Sequence, residues 1–351
     1  MQLLKRTLTY KLVVLCLSFG VSLSAIAGDY YFDNTLILAN KGDLQAQIEI
    51  ANMYRSGDAN DYGSPEYNEA FKWYMKAANQ GSAEALSTIA EMYKSGEGVT
   101  KDIIKALAWY EKASKQGSIH AQYAIAQIYE NDENQYEGVN QDYAKAFEWY
   151  QKAANQNYAA AKDKLGDFYY YGNSVNQDYL KALAWYEKAA NSKPPFSQAK
   201  IANMYYDGIG VPQSYPKAFE WYSKIVEHSY NPGVEQRLGF MYFDGKGTRQ
   251  NYNEALKWFM KTANFSDDSE FMLGLMHYYG KGVRQDYSKA FEWYMRSAKQ
   301  DNEIAQLNIG KMYLEGKGVR QSKIEAKEWF GKACDNGDQD GCDNYRMLNQ
   351  R

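Results

Sequence analysis

Tryptophan recurs in this chain at a nearly constant interval. The eight Trp residues stand at Trp73, Trp109, Trp149, Trp185, Trp221, Trp258, Trp293 and Trp329, so successive copies are 35–40 residues apart. A period of that size marks a solenoid of small stacked units, each too small to bury its own apolar face alone. The interval also accounts for the length: at 351 residues the chain is long for one ordinary domain, and an array of eight units fills it.

Every Trp lies in a copy of one segment, such as Ala146-Phe147-Glu148-Trp149-Tyr150-Gln151-Lys152-Ala153-Ala154 or Ala182-Leu183-Ala184-Trp185-Tyr186-Glu187-Lys188-Ala189-Ala190. Apolar residues at offsets of three, four and seven trace one stripe of a helix. Asp142, Asp178 and Asp286 stand just ahead of these helices, where a short carboxylate can accept from free backbone N–H groups. A second helix precedes each, in copies such as Ile50-Ala51-Asn52-Met53-Tyr54, Leu165-Gly166-Asp167-Phe168-Tyr169 and Ile309-Gly310-Lys311-Met312-Tyr313. Its Ala or Gly lets a neighbouring helix approach closely. Between the two helices lies a glycine turn, Gly96-Glu97-Gly98-Val99 and its copies at Gly208, Gly280 and Gly316, placed where a chain must turn with positive φ. None of these turns completes a phosphate-binding motif.

The A-x-x-x-L-G-x-M-Y helix, the G-x-G-V turn and the D-Y-x-K-A-x-x-W-Y-x-K-A-A helix together resemble the Sel1-like repeat family, relatives of the tetratricopeptide repeats. Eight copies cover residues 44–335. The first turn, Gly57 to Pro65, lacks the signature; the third is lengthened between Tyr129 and Gly138; Lys193-Pro194-Pro195 precedes the fifth repeat, whose second helix ends in Ile225-Val226. The resemblance implies an all-α fold: antiparallel helix pairs stacked into a right-handed superhelical solenoid, with the first helix of each pair lining the concave face. It also implies a function, since such proteins act as adaptors for other proteins and the exported ones are linked to envelope assembly and host contact.

The ends differ from the interior. Lys5, Arg6 and Lys11, the apolar stretch Leu12–Leu23 and Ala25-Ile26-Ala27 read as a signal peptide cleaved after Ala27, which places the mature chain in the periplasm or outside the cell. Residues 28–43 are expected to hold an N-terminal capping helix over Asp33–Lys41, and residues 336–351 a C-terminal one over Asp338–Asn349. No other stretch is long and apolar enough to span a bilayer. Losing the leader takes the 40 basic residues to 37 against 43 acidic ones, an unsuitable balance for neutralising nucleic-acid phosphates. Cys334 and Cys342 remain, and an even count in an oxidising compartment favours a disulfide. Aligned on the interior repeats, they fall at the positions of Ala78 and Leu86, two core-facing sites on helices joined by a tight turn.

Catalytic chemistry is poorly represented. The three histidines, His120, His228 and His277, belong to separate repeats, and His277 stands where other repeats carry Tyr. No metal or cofactor motif is present. Two S-x-x-K matches, Ser197…Lys200 and Ser214…Lys217, lack the companion motifs of penicillin-recognising enzymes. The favoured reading is therefore a non-enzymatic scaffold that binds a protein or peptide partner. The alternative is a β-lactam- or peptidoglycan-directed binder or hydrolase of the cysteine-rich repeat type, and a purely structural envelope element is a third. At 100° per residue, the positions one before and two after the core aliphatic of each first helix point towards the concave face. They place Lys164, Lys200 and Arg237 in a basic stripe, next to an apolar patch of Phe240, Met272 and Leu275. These six are the expected partner-binding residues, fitted to an acidic, apolar-tipped segment, unless tighter packing buries Phe240 and Leu275.

Overall fold

The computed structural model describes residues 23–59, 63–131, 136, 138–192 and 195–350. Residues 1–22, most of the expected leader, and Lys193-Pro194 lie outside that range. Within it the chain forms helices and no strand, in two compact units divided inside the fourth repeat at Phe168/Tyr169.

The first unit opens with α1 (Leu23–Asn40) and continues through the pairs α2/α3 (Leu44–Ser56, Tyr67–Asn79), α4/α5 (Ala83–Ser95, Ile103–Lys115) and α6/α7 (Ile119–Glu130, Tyr143–Asn155) into α8 (Ala159–Tyr171) as far as Phe168. The second holds α9 (Tyr179–Ala190), the pairs α10/α11 (Pro195–Asp207, Tyr215–Val226), α12/α13 (Pro232–Asp244, Tyr252–Thr262), α14/α15 (Asp267–Tyr279, Tyr287–Ala298) and α16/α17 (Glu303–Glu315, Lys323–Asp335), and ends with α18 (Gln339–Asn349). From α1 to α7 and from α9 to α18, each helix packs on its neighbours along the chain.

Local chemistry sets the element ends. Asp142, Asp178 and Asp286 each cap their helix, accepting from the backbone N–H three residues on at 2.9–3.0 Å. Lys145 and Lys181 return their ammonium groups to the same carboxylates at 3.2 and 3.3 Å. These bonds hold the Asp142 and Asp178 carboxyls below the usual carboxylate range, the backbone N–H contributing most. In the turns, Gly318 has φ 72° and lies so close to the preceding second helix that a Cβ would stand 2.4 Å from the Tyr287 carbonyl oxygen. Its glycine is required twice over, by dihedral angle and by space. The atypical first turn solves the same problem with Gly57 and Gly63, the carbonyl of Gly63 lying 2.4 Å from where a Gly57 Cβ would be.

The core rings are the residues that follow each Trp. Tyr74, Tyr110, Tyr150, Tyr186, Tyr222, Phe259, Tyr294 and Phe330 are all fully buried. They seat against the small residue of the first helix: a Cβ on Gly239, Gly274 or Gly310 would meet the Phe259, Tyr294 or Phe330 ring within 2.5–2.8 Å. The tryptophans themselves are half-buried, apart from Trp73. Each is covered by the cation three residues on, from Lys76 at 3.3 Å over Trp73 to Lys261 at 5.4 Å over Trp258, with Arg296 taking the role over Trp293. A W-Y-x-K spacing thus builds one buried ring and one cation–π lid per repeat.

At the ends, α1 (Leu23–Asn40) covers most of the expected Asp33–Lys41 helix and extends upstream of Asp33 through the described residues. The expected cleavage point after Ala27 falls inside this helix. At the other end α18 follows Asp338, whose side chain accepts from the Gly341 N–H as the N-cap.

Candidate partner-binding groove

The position two after the core aliphatic of each first helix has a structural duty first. In the first, second and fifth repeats the buried tyrosine of the second helix donates its hydroxyl to the first helix: Tyr74 to Asn52 Oδ1 and Tyr222 to Asn203 Oδ1, both at 2.5 Å, and Tyr110 to the Glu91 carboxylate. Burial pushes the Tyr74 and Tyr222 hydroxyls up to about 12, so they remain donors. Tyr150 uses Glu130 at 2.5 Å instead.

The expected apolar patch follows from the same logic and is corrected by it. In the sixth repeat the buried ring is Phe259, which has no hydroxyl to place, and the facing residue is Phe240 rather than an amide. The two rings stack edge-on at 5.1 Å. Leu275 is likewise half-buried, packed on the core around Tyr294. Met272 is buried at 7% exposure inside the core with Leu273 and Met276, so it is not part of an open patch.

The basic stripe also separates into different environments. In the first unit Lys164 is bound to Glu130 Oε1 at 3.0 Å. In the second, Lys200 lies over the Tyr186 ring at 5.0 Å. Arg237 is exposed, rests on Tyr206 with 5.1 Å from its guanidinium carbon to the ring centre, and forms no ion pair among the described residues. It opens into a cavity of about 670 Å³ between the first helices of repeats five to seven, walled by Ala199, Asn203, Tyr206, Phe240 and Asp268. Lys246, at its rim, is neutralised by Asp244 at 3.1 Å. Partial desolvation and the adjacent Asp267 raise the Asp268 carboxyl above its ordinary value. The structure therefore brings Arg237 and Phe240 to one cavity and leaves the other four expected residues outside its lining.

A buried polar column was not anticipated. Three residues before the core aliphatic of the first helix stand Gln47, Gln122, Lys162, Glu235, Glu270 and Gln306, all buried. They stitch neighbouring elements: Gln80 donates to Gln47 at 2.8 Å, Gln156 to Gln122 at 2.9 Å, Lys261 to Glu235 at 2.7 Å, and Arg296 and Gln300 to Glu270 at 2.7 Å. Only the recurrence of Gln at this offset signals it in the sequence. Cys342 occupies the equivalent place after the eighth repeat and is joined to Cys334, with the two Cα atoms 4.5 Å apart. Both cysteines are half-buried rather than fully enclosed, because no further repeat covers them in the described structure.

For the S-x-x-K pairs the environment decides. Ser197 is fully buried, closed to any acyl donor. Lys217 is drawn over the Tyr205 ring at 4.8 Å. Among the described residues no three His, Cys, Asp or Glu side chains gather as a metal-holding group, and no helix is long and apolar enough to cross a membrane.

Fold and groove together define a helical-repeat protein whose stacked helix pairs present an extended surface. The Sel1 repeat matches residues 44–82, 83–118, 119–158, 159–193, 195–230, 235–264, 267–302 and 304–338, and the chain belongs to the Sel1 repeat family. Proteins of this family are in general scaffolds for protein interaction. Among solved structures the chain is similar to c5321, a protective antigen of uropathogenic Escherichia coli displaying this fold, at 29% identity and TM-score 0.81, over 90% of this chain and 67% of that one. It is also similar to a Sel1 repeat protein from Oxalobacter formigenes, at 27% identity and TM-score 0.62, over 91% and 90%. No curated protein sequence matches significantly.

Proposed function

We propose that this chain is an exported interaction scaffold that holds an acidic, apolar-tipped segment of a partner protein at the first helices of repeats five to seven. The observation that carries this reading is Arg237, an exposed guanidinium without a carboxylate partner among the described residues, resting on the Tyr206 ring at a cavity that Phe240 also lines. A guanidinium held on an aromatic face beside a half-buried ring is the composition of interface hot spots. Export is supported by the basic–apolar–small pattern of residues 5–27 and by the cysteine pair. It also fits the description of the 29%-identical relative as a protective antigen.

Capture from a cell-envelope extract tests the site. Mature protein should retain a partner that an Arg237→Glu, Phe240→Ala variant of equal thermal stability loses; equal capture by the two would reject the groove. Recovery of the chain in the cytosol with its leader intact would reject export.

A further inference from the structure

The first unit carries a separate cavity of about 630 Å³, made by α4, the turn Gln116-Gly117-Ser118, the start of α6 and Tyr158. Its chemistry differs from that around Arg237. No lysine or arginine lines it, whereas Glu84 and Glu91 do, together with the aromatic residues Tyr110, His120 and Tyr158. Glu84 is exposed in the first turn of α4 and makes no ion pair among the described residues. The Glu91 carboxylate is held in place from both sides, accepting from Tyr110 and pairing with Lys94 at 2.8 Å. Tyr158 is fixed as a wall by edge contacts with His120 at 5.5 Å and Tyr123 at 5.1 Å. The polar groups of the floor are already satisfied among themselves: Ser118 caps α6 through the Ala121 N–H at 3.2 Å and lies 2.9 Å from the Ser87 hydroxyl. What stays open is the Glu84 carboxylate and aromatic face, with the Glu91 carboxylate already shared between Tyr110 and Lys94.

Carboxylates with aromatic faces attract cations: the ring quadrupole and the charge-assisted hydrogen bond both favour an ammonium or guanidinium, whose aliphatic stem lies on the rings. An anion is excluded by the same groups, and two carboxylates are too few ligands to hold a hard metal ion. We propose that this cavity seats a lysine or arginine side chain from a basic segment of a partner protein, with Glu84 as the anionic contact, the Lys94-paired Glu91 behind it and Tyr158 as the aromatic one. It is a second docking point, of opposite charge preference to that at Arg237, and stands or falls independently of it.

The test uses fluorescence anisotropy at low salt with two labelled glycine–serine peptides, one carrying two arginines around a leucine and one carrying two glutamates there. The arginine peptide should bind the mature protein and the glutamate peptide should not compete with it. Glu84→Gln, Glu91→Gln should weaken arginine-peptide binding roughly five- to tenfold, Tyr158→Ala severalfold, and Arg237→Gln should leave it unchanged. Gln at position 91 still accepts from Tyr110; if the double variant nevertheless melts early, Glu84→Gln alone, at an exposed position, carries the comparison. Absence of arginine-peptide binding, equal competition by the glutamate peptide, or full binding by the glutamine variants would overturn the proposal.

Discussion

At the scale of single residues, the repeat shows what each departure from the consensus costs. His277 stands at the consensus tyrosine position, and its Nδ1 is buried without a hydrogen-bond partner. Burial depresses its pKa below 6.5, with Lys289 adding to the effect and Asp286 and Glu292 opposing it. Below pH 6.5 the unfolded chain therefore binds more protons than the folded one, and stability falls as pH drops from 6.5 through the folded pKa. A His277→Tyr variant removes that titration and the orphaned nitrogen. We expect its acid-unfolding midpoint to move to lower pH with little change at pH 8; identical acid profiles would contradict this account. The aromatic facing pairs were half-legible in the sequence. Phe240 was visible as an oddity among Asn, Glu and Asp, but its meaning depends on Phe259, nineteen residues away, and only the packed structure sets the two rings together.

At the scale of elements, α18 closes the face of the eighth repeat. Tyr345 and Leu348 pack on the cluster of Leu307, Ala326, Phe330 and Ala333. At the position where interior first helices carry the small residue that meets the buried ring, α18 carries Arg346, paired with Asp343 at 3.1 Å. A ring-bearing helix could not seat there without burying that charge, so α18 suits an end and not a middle. The Cys334–Cys342 bridge ties it to α17, and closing so short a loop contributes up to roughly 2–3 kcal/mol. Changing both cysteines to Ala should lower stability by no more than that, with amide protection lost first in α18. Deleting residues 338–351 should uncover Phe330 and promote aggregation. Two free thiols in mature exported protein, or unchanged solubility and melting after the deletion, would tell against this role.

At the scale of the whole molecule, contacts within each unit run between neighbouring elements, so the stability of each is approximately a sum of repeat and nearest-neighbour terms. Disturbance should then stay local. Gly318→Ala forces a left-handed dihedral on a residue with Cβ, costing about 1–2 kcal/mol before its clash with Tyr287 is counted. Hydrogen exchange in this variant should accelerate in α15–α18 and remain as in the parent in α2–α5; uniform acceleration along the chain would show a cooperativity that the contact pattern does not provide. The sequence by itself determined the class of fold, the number of repeats, most helix caps and glycine turns, because these are written in residues a few positions apart and recur along the chain, and it pointed to the single cysteine pair. Tertiary structure alone decided which side chains of the inward columns remain open. A 100° rotation per residue says which way a side chain points, not what stands opposite it. The partners that buried Met272 and bound Lys164 to Glu130 come from neighbouring helices.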